Sequence, residues 1–330
     1  MKTTTINKRK GEKEVEKHVK VQQQIDKADK KHKTKKEPKA MQAGAREYPE
    51  PPLSKQHLKK PGLEKDLSVK PMYDAPYYKG SEKLQDMVAI ITGGDSGIGR
   101  AVAVLFAREG ADVAIVYLNE HEDAQETKRM VENEGRVCLL IPGDIADKSF
   151  CKTAVQQTID KFGKLDILVN NAAFQLHVTD LEELTEEHFD LTLKTNLYGY
   201  FYMVKAAVPV MQYGSAIINS GSVTGLMGNE HLLDYSLTKG GIHSFTRSLG
   251  THLIKKGIRV NAVAPGPVWT PLNPADKQKK DIAKFGEDTP MKRPAQPEEI
   301  APAYVFLASP QCSSYITGEI LPIIGGYSGG

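Results

Sequence analysis

Tyr235 and Lys239 stand four residues apart, and Ser222 precedes the tyrosine by thirteen residues. In a helix, side chains at i and i+4 project from one face, so the ammonium of Lys239 can lie beneath the Tyr235 phenol and lower its pKa. A phenol tuned in this way can pass a proton to or from an alcohol oxygen. The spacing alone is a weak signal, because a solvated lysine beside a half-buried tyrosine has the same pattern. Ser222 at this distance and a glycine-rich turn upstream favour the acid–base interpretation.

The glycine-rich turn runs from Thr92 to Gly99, between an apolar run and a helical pattern. A turn in this position lets the backbone approach a pyrophosphate closely and points the N-terminus of the next helix at the negative charge. Its spacing is G-x-x-x-G-x-G rather than the more common G-x-G-x-x-G, and an ordinary glycine-rich strand–helix turn is the alternative. We predict a dinucleotide site whose contacts in this turn are Gly93, Asp95, Ser96, Gly97, Ile98 and Gly99.

Polar and small residues follow two further apolar runs. Asp144 is placed to accept a hydrogen bond from an adenine amino group, and the small residues that follow Asn170 let a ribose lie against the backbone. Each of these residues could instead be a simple turn former or helix cap. The predicted cofactor contacts in these turns are Asp144, Ile145, Asn171, Ala172 and Ala173.

The end of the second apolar run decides the form of the coenzyme. An acidic residue there would bind the adenosine 2′-hydroxyl, and a basic one would accept a 2′-phosphate. The chain reads Ile115-Val116-Tyr117-Leu118-Asn119, which holds neither type. We therefore predict NAD(P) as the cofactor, with NADP favoured because no carboxylate repels the phosphate, and with Tyr117 and Asn119 as contacts.

Short apolar runs alternate with longer helical patterns from about Asp86 onward. Nearly continuous apolar strands suit a sheet covered on both faces, and strict alternation implies right-handed crossovers. The pattern predicts an α/β protein, a doubly wound Rossmann fold with a seven-stranded parallel sheet that binds ligands at the carboxyl ends of its strands. A long irregular stretch from Pro265 to about Pro297 is a candidate substrate lid. The predicted strands are Met87–Thr92, Asp112–Tyr117, Val137–Pro142, Leu165–Asn170, Ala216–Ser220, Arg259–Ala264 and Glu319–Ile324.

Two segments precede this part of the chain. Residues 1–40 hold 14 Lys or Arg against 6 Asp or Glu, so residues 1–45 are expected to form a basic tail that is disordered or transiently helical. A solubilising role is the simplest interpretation; contact with nucleic acid or a membrane surface is the alternative, but no aromatic residue interleaves with these lysines for base stacking. Residues 46–85 are rich in proline and carry spaced apolar anchors, which predicts an extended arm along the globular body or a neighbouring subunit. Residues 86–330 then form a single Rossmann-type domain.

Composition excludes several classes of protein. No stretch approaches the length of a membrane span, and the first residues lack the apolar core of a signal peptide. The three cysteines have no metal-ligand spacing and cannot all pair, which favours a reducing, cytoplasmic location. The histidines also lack partners at ligand spacing, so we predict no metal site. We expect surface or capping roles for His177, His188, His231, His243 and His252.

Taken together, these motifs resemble those of the short-chain dehydrogenase/reductase family over Asp86–Gly326. The proline-rich segment also resembles an N-terminally extended bacterial subgroup that includes general-stress and aldehyde-reductase-like members. The residues that carry the family resemblance are the Thr92–Gly99 turn, Asp144, Asn170-Asn171-Ala172, Asn196, Ser222, Tyr235, Lys239 and Pro265-Gly266.

The resemblance implies a role for each residue of the catalytic set. Tyr235 would be the general acid and base, and Ser222 would hydrogen-bond the reacting oxygen. Lys239 would hold the nicotinamide ribose and depress the tyrosine pKa, and Asn196 would anchor a water that links Lys239 to solvent, unless it is only a bridge between helices. A homotetramer is also implied. The nicotinamide end would be seated by Pro265, Gly266, Val268 and Thr270.

The resulting hypothesis is an NAD(P)-dependent oxidoreductase that acts on a small carbonyl or alcohol, an aldehyde or a sugar-like polyol. The alternative is a nucleotide-sensing or scaffold module that acts through its basic tail, and nucleic acid and membranes are not the partners we expect. Trp269 either lines the substrate pocket or staples the loop around it. Beside Ser222 and Tyr235, the expected substrate contacts are Phe174, Gln175, Thr224, Asn229 and Trp269.

Overall fold

A computed structural model describes residues 16–17, 19–28, 30 and 39–326 of the chain. The described residues up to Lys39 and those from Ala40 onward form two separate compact units. In the first unit, residues 19–28 form an exposed helix, α1. Residues 1–15, 18, 29 and 31–38 of the predicted basic tail, which include most of the lysine run from Lys30 to Lys39, lie outside the described residues.

The second unit is built on a seven-stranded sheet in which every pairing is parallel. Its spatial order is β3-β2-β1-β4-β5-β6-β7, so the chain reverses its winding direction between β1 and β4. That reversal opens a crevice at the carboxyl ends of the strands, where doubly wound sheets bind ligands. The strands are β1 (Val88–Thr92), β2 (Asp112–Tyr117), β3 (Cys138–Pro142), β4 (Ile167–Asn170), β5 (Ala216–Ser220), β6 (Arg259–Pro265) and β7 (Ile320–Ile323).

Helices cover both faces of the sheet. On one face α2 (Gly97–Arg108) packs against α10 (Pro297–Ala308), and on the other α4 (Lys148–Phe162) packs against α6 (Gly199–Ala207). The long helix α8 (Leu233–His252) carries the tyrosine and lysine of the predicted site. The remaining helices are α3 (His121–Asn133), α5 (Glu186–Leu193), α7 (Thr224–Met227), α9 (Lys279–Ile282) and α11 (Pro310–Ser313).

The predicted fold class is confirmed, because each predicted apolar run forms a strand of one parallel sheet. All five residues of β1 and all seven of β6 are buried, as a sheet covered on both faces requires. Predicted and observed strand ends agree within two residues. The larger difference lies in the predicted lid, where residues 279–282 form the short helix α9 inside the otherwise irregular stretch.

The proline-rich arm packs on the Rossmann body. Leu53, Leu58 and Leu67 are buried against Trp269 and Ile282, so the arm covers the outer side of the loop that follows β6. Backbone hydrogen bonds fix its path, from Leu53 N–H to the Ala283 carbonyl at 2.9 Å and from Leu58 N–H to the Pro274 carbonyl at 2.8 Å. The arm and this loop therefore form one packed layer.

The arm begins earlier than the composition suggested. Met41 N–H donates to the Met291 carbonyl at 2.9 Å, and the Arg293 guanidinium donates to the Met41 carbonyl at 2.9 Å. These bonds attach the chain to the second unit from residue 40 onward, whereas the basic composition placed the end of the tail at residue 45.

Within the described ranges, every helix is too short or too polar to cross a lipid bilayer.

Candidate active site

One large cavity, with a volume of about 1060 Å³, opens at the carboxyl ends of the strands. It brings together residues that are far apart in the sequence, from the glycine turn after β1 to the loop after β6. Most of the predicted site residues line it: Gly93, Asp95, Ser96, Gly97, Ile98, Tyr117, Asp144, Ile145, Asn171, Ala172, Ala173, Phe174, Gln175, Ser222, Thr224, Asn229, Tyr235, Lys239, Pro265, Gly266, Val268 and Thr270.

The glycine turn has the tight backbone that its sequence predicted. Gly93 and Gly97 adopt positive φ values of 62° and 52°, which side chains rarely tolerate. Gly99 does not line the cavity; a Cβ there would lie 1.9 Å from the Gly93 carbonyl oxygen, so this glycine is needed for the turn to close on itself. Gly99 therefore has a packing role in the turn, and its predicted cofactor contact stays a prediction.

The turn after β4 is joined to the glycine turn by side-chain hydrogen bonds. The Thr92 hydroxyl accepts from the backbone N–H groups of Asn171 and Ala172, at 2.9 and 3.1 Å. Asn171 Nδ2 donates to the Gly93 carbonyl at 3.1 Å. These bonds hold the two turns side by side, so that the floor of the cavity is a pre-formed backbone surface.

Two buried carboxylates lie at the β2 end of the cavity. Asp95 and Glu120 both line it, and burial together with the charge of Glu120 raises the pKa of Asp95 to about 7. Glu120 comes one residue after Ile115–Asn119, the stretch whose lack of an acidic residue led to the coenzyme prediction. The prediction therefore did not include Glu120. Asn119 is exposed and does not line the cavity, although Leu118 and Glu120 on either side of it do, and its predicted cofactor contact stays a prediction.

Tyr235 and Ser222 meet inside the cavity. Tyr235 lies in the first turn of α8, and Ser222 follows β5. Burial of the phenol raises the pKa of Tyr235 well above the ordinary value of 10. A hydrogen bond with Ser222 lowers this pKa, but by less than burial raises it. Thr224 donates from its backbone N–H and its hydroxyl to Ser222 Oγ, at 3.1 and 3.0 Å, and fixes the serine rotamer.

Lys239 lies near Tyr235, yet it does not lower the phenol's pKa as the sequence analysis expected. Its Nζ is 5.3 Å from the centre of the Tyr235 ring and donates to the Ser220 carbonyl at 2.7 Å. Burial lowers the pKa of Lys239 itself to about 7. Desolvation outweighs attraction for this pair, because both groups are buried and a lysine near neutrality carries only part of a charge.

Asn196 lies in a π-helical turn, Lys194–Tyr198, between α5 and α6. Its side chain accepts from the Phe174 N–H at 2.8 Å and donates to the Phe174 carbonyl at 2.9 Å and to Thr238 Oγ1 at 3.1 Å. The side chain thus ties the turn after β4 to α8. Asn196 is fully buried and does not line the cavity, and its predicted contact with a water stays a prediction.

Trp269 is fully buried and points away from the cavity. Its indole N–H donates to the Val69 carbonyl of the arm at 2.9 Å, and its ring packs near Phe285. The structure contradicts the expected substrate contact and supports the alternative, in which Trp269 staples the loop. The reason is the arm, whose leucines offer the indole an apolar surface that the local sequence does not reveal.

A polar cluster beside Tyr235 was missed by the sequence analysis. Asp276 is buried and accepts hydrogen bonds from Gln175 Nε2, from the His177 N–H at 2.7 Å and from His177 Nδ1 at 2.8 Å. Lys60 of the arm donates to the Gln175 carbonyl and lines the cavity. Sequence spacing gives no signal for this cluster, because its members come from three distant segments.

His243 is buried, whereas a surface or capping role was expected for it. Its Nε2 accepts from the Ser222 N–H at 3.4 Å, and a Cβ on Gly221 would lie 2.2 Å from that nitrogen. Burial and the charge of Lys239 lower its pKa to about 4, so the ring is neutral at pH 7. His243 stands four residues after Lys239 on α8, the one feature of the sequence that could have placed it behind the serine loop.

The residues of the cavity fit a nicotinamide dinucleotide. A backbone cradle that side chains would fill lies at Gly93 and Gly97, next to the N-terminus of α2, which favours a pyrophosphate. Asp144 lies exposed at the cavity wall, and Asn171 lies between the glycine turn and Ser222. The cavity runs from these residues to Tyr235 and Lys239, so one extended ligand can reach both ends.

Comparison with known proteins agrees with this geometry. A family model described as enoyl-(acyl carrier protein) reductase matches residues 93–328. The chain is 51% identical to general stress protein 39 of Bacillus subtilis over 279 residues, which cover 84% of this chain and 97% of the relative. It is 46% identical to the chloroplastic NADPH-dependent aldehyde reductase 1 of Arabidopsis thaliana over 278 residues, 82% of this chain and 96% of the relative.

A solved structure extends the match to three dimensions. A short-chain dehydrogenase from Burkholderia cenocepacia J2315, in complex with NADP, superposes with a TM-score of 0.69 at 33% identity and covers 74% of this chain and 98% of its own. The similarity in sequence and fold thus extends over nearly the full length of these relatives. The chain belongs to the short-chain dehydrogenase/reductase family of NAD(P)-dependent oxidoreductases.

Proposed function

We propose that the protein reduces a small aldehyde, or oxidises the matching alcohol or polyol, with Tyr235 as the general acid and base. The observation that carries the proposal is the meeting of Ser222 and Tyr235 in the cavity that the glycine turn also lines. A nicotinamide coenzyme, when bound, supplies or accepts the hydride. The chain's own residues then have to orient the reacting oxygen and move one proton.

The high pKa of Tyr235 supports action as a proton donor. A phenol that stays protonated at neutral pH can hydrogen-bond a carbonyl oxygen and give up its proton as that oxygen gains negative charge. The Ser222 hydroxyl, held by Thr224, is the second group positioned for that oxygen. In the reverse direction the same phenol oxygen accepts the proton of the alcohol.

Lys239 supports the proton traffic and the orientation of the coenzyme. With a pKa near 7 it exists in both protonation states at neutral pH, as a relay group requires. It also lines the cavity beside Tyr235, where it can donate to ribose hydroxyls. Asn196 assists by holding Phe174 and Thr238, and thereby the wall next to Lys239.

The substrate class rests on the outer part of the cavity and on the relatives. Phe174 and Met227 offer apolar surface there, while Gln175, Thr224 and Asn229 offer polar groups. A mixed wall of this kind suits a short aldehyde or a hydroxylated carbonyl compound better than a long acyl chain. The aldehyde reductase of Arabidopsis carries the same substrate class in its name.

For the coenzyme we propose use of both forms, with NADP(H) preferred. The NADPH-dependent relative and the NADP complex of the Burkholderia enzyme support the phosphorylated form. Asp95 and Glu120 oppose it electrostatically, so NAD(H) is expected to remain a competent alternative.

Assembly and location are also proposals. Three large apolar side chains are exposed on neighbouring helices: Tyr198 in the π-helical turn, Phe201 in α6 and Leu237 in α8. They form a surface suited to a subunit contact. We propose a homotetramer in the cytoplasm that assembles through this surface.

A substrate screen tests the proposal. Short aldehydes, ketones and polyols are offered with NADH, NADPH, NAD and NADP in parallel, and the absorbance of reduced nicotinamide is followed. Turnover of aldehydes with at least one reduced coenzyme is expected. Coenzyme binding with no turnover in any arm would instead favour a nucleotide-sensing module and would reject the enzymatic proposal.

A further inference from the structure

Lys60 comes from the arm, yet it lines the cavity that holds Tyr235. Both of its flanks are fixed on the loop after β6. Leu58 N–H donates to the Pro274 carbonyl at 2.8 Å on one side, and a Cβ on Gly62 would lie 2.8 Å from Ala275 Cβ on the other. The position of Lys60 is therefore set by packing of the arm and not by chance contact of a flexible side chain.

The ammonium of Lys60 lies at the turn where substrate contacts were expected. It donates to the Gln175 carbonyl, and its Nζ is 5.4 Å from the centre of the Phe174 ring. Phe174 is itself held through its backbone by Asn196. A lysine ammonium has three N–H donors, so donors remain for an oxygen in the cavity after the bond to Gln175.

The charge of Lys60 is balanced by Asp276. The electrostatic attraction of this buried carboxylate favours the charged form of Lys60, while burial lowers the lysine's pKa to about 8. The charge of Asp276 also reaches Tyr235, whose pKa it raises. Lys60, Asp276 and Tyr235 thus belong to one electrostatic neighbourhood, and the wall formed by the first two is close to neutral overall.

We propose that Lys60 is a substrate-binding residue that selects aldehydes bearing a hydroxyl group next to the reacting carbonyl. This inference rests on the proposed function and deepens it. A neutral wall that still offers ammonium donors suits a hydroxyl oxygen, because an anionic substrate would meet the opposing charge of Asp276. The arm of this chain then contributes directly to substrate specificity.

The test compares two aldehydes that differ in their hydroxyl groups, glyceraldehyde and propanal. Lys60→Met removes the ammonium and keeps an unbranched side chain, while Lys59→Met, at an exposed neighbouring position, is the matched control. We expect Lys60→Met to lower kcat/KM for glyceraldehyde about 10- to 100-fold, the loss typical of a hydrogen bond from a charged donor, and to change propanal less than about threefold. Lys59→Met should leave both values unchanged.

Three outcomes would overturn the inference. Equal losses for both aldehydes would show that Lys60 only supports the fold, and unchanged kinetics would show that it does not touch the substrate. Glyoxylate, an anionic aldehyde, is assayed as a third substrate. If Lys60→Met lowers kcat/KM for glyoxylate alone, Lys60 binds a substrate carboxylate instead of a hydroxyl group. In each of these cases Tyr235-dependent turnover of propanal by the wild-type protein leaves the proposed function standing, whereas no wild-type turnover of any aldehyde removes both.

Discussion

At the scale of single residues, burial determines the chemistry of this site more than charge pairing does. Tyr235 and Lys239 are both buried, and each pKa moves toward the neutral form of its group. A neutral phenol and a lysine near neutrality make a proton donor and a relay. The i,i+4 spacing predicted their proximity but not this balance, because desolvation depends on residues that cover the site from other segments.

The carboxylates of Asp95 and Glu120 should affect the preference between NADPH and NADH. Glu120→Gln removes one negative charge from the β2 end of the cavity, so the ratio of kcat/KM for NADPH to that for NADH should rise by about tenfold. Steady-state kinetics with both coenzymes on one aldehyde measure this ratio. Glu187→Gln, at an exposed position outside the cavity, is the control and should leave it unchanged.

Burial of His243 should make the stability of the protein depend on pH. Its pKa falls from 6.5 to about 4 in the folded protein, so between these values the unfolded chain binds the extra proton and stability rises with pH. His243→Gln should flatten this rise by up to about 3 kcal/mol between pH 4 and 6.5. Urea unfolding at a series of pH values measures it; curves for both proteins that remain parallel over this range would contradict the role given to His243.

At the scale of elements, the arm is fastened to helix α2 by a buried ion pair. Glu64 pairs with Arg100 and accepts from the Gly97 N–H at 2.7 Å, while the carboxylate of Asp123 accepts from the backbone N–H groups of Glu64 and Lys65. The guanidinium of Arg100 is also within 3.6 Å of Asp123. These contacts place the arm beside the glycine turn that follows β1.

Breaking this joint should destabilise the protein. Glu64→Gln leaves Arg100 buried with only a more distant carboxylate, and the free energy of unfolding should fall by about 3 kcal/mol. Lys65→Met breaks the neighbouring exposed pair with Glu122 and should lower the free energy of unfolding much less, because solvent screens an exposed ion pair. Denaturant unfolding of the two variants gives the comparison, and equal losses would argue against a special role for the buried pair.

The elements themselves were largely predictable from the sequence, and the long-range contacts were not. Strands such as β2 and β5 have the predicted bounds because a parallel strand that is covered on both faces contains a run of apolar residues that the sequence shows. Other contacts could not be predicted in this way. The roles of Trp269, Lys60 and His243 depend on residues that are distant from them in the sequence or that pack against another face of a helix. The sequence placed Ser222 at the site because it follows β5, and it paired Tyr235 with Lys239 because residues four apart share one face of a helix.

At the scale of the whole molecule, we expect removal of the first structural unit alone and removal that extends into the second unit to have different effects. Removing residues 1–39 deletes only the basic unit, so kcat/KM and the melting temperature should stay close to those of the full chain. Removing residues 1–80 also deletes Lys60, Glu64 and the leucines packed on Trp269, and should lower both strongly. Thermal unfolding and steady-state kinetics of the two truncated proteins test this contrast.

Light scattering of the same truncated proteins tests the proposed assembly. The full chain should have the mass of a tetramer, and removal of residues 1–39 should not change it. If the arm also contributes to the subunit contacts, removal of residues 1–80 should lower the mass. An unchanged mass together with an unchanged melting temperature in the shorter protein would contradict any part of the arm in stability or assembly.

In the proposed reaction Tyr235 transfers the proton while the coenzyme transfers the hydride. The direct measurement is the kcat of Tyr235→Phe on an aldehyde that the wild-type protein reduces, with the dissociation constant of the coenzyme measured in parallel. We expect a loss of at least about 100-fold in kcat with coenzyme affinity within about threefold of the wild type, because only the phenolic O–H is removed. Retention of most of the wild-type kcat by this variant would contradict it.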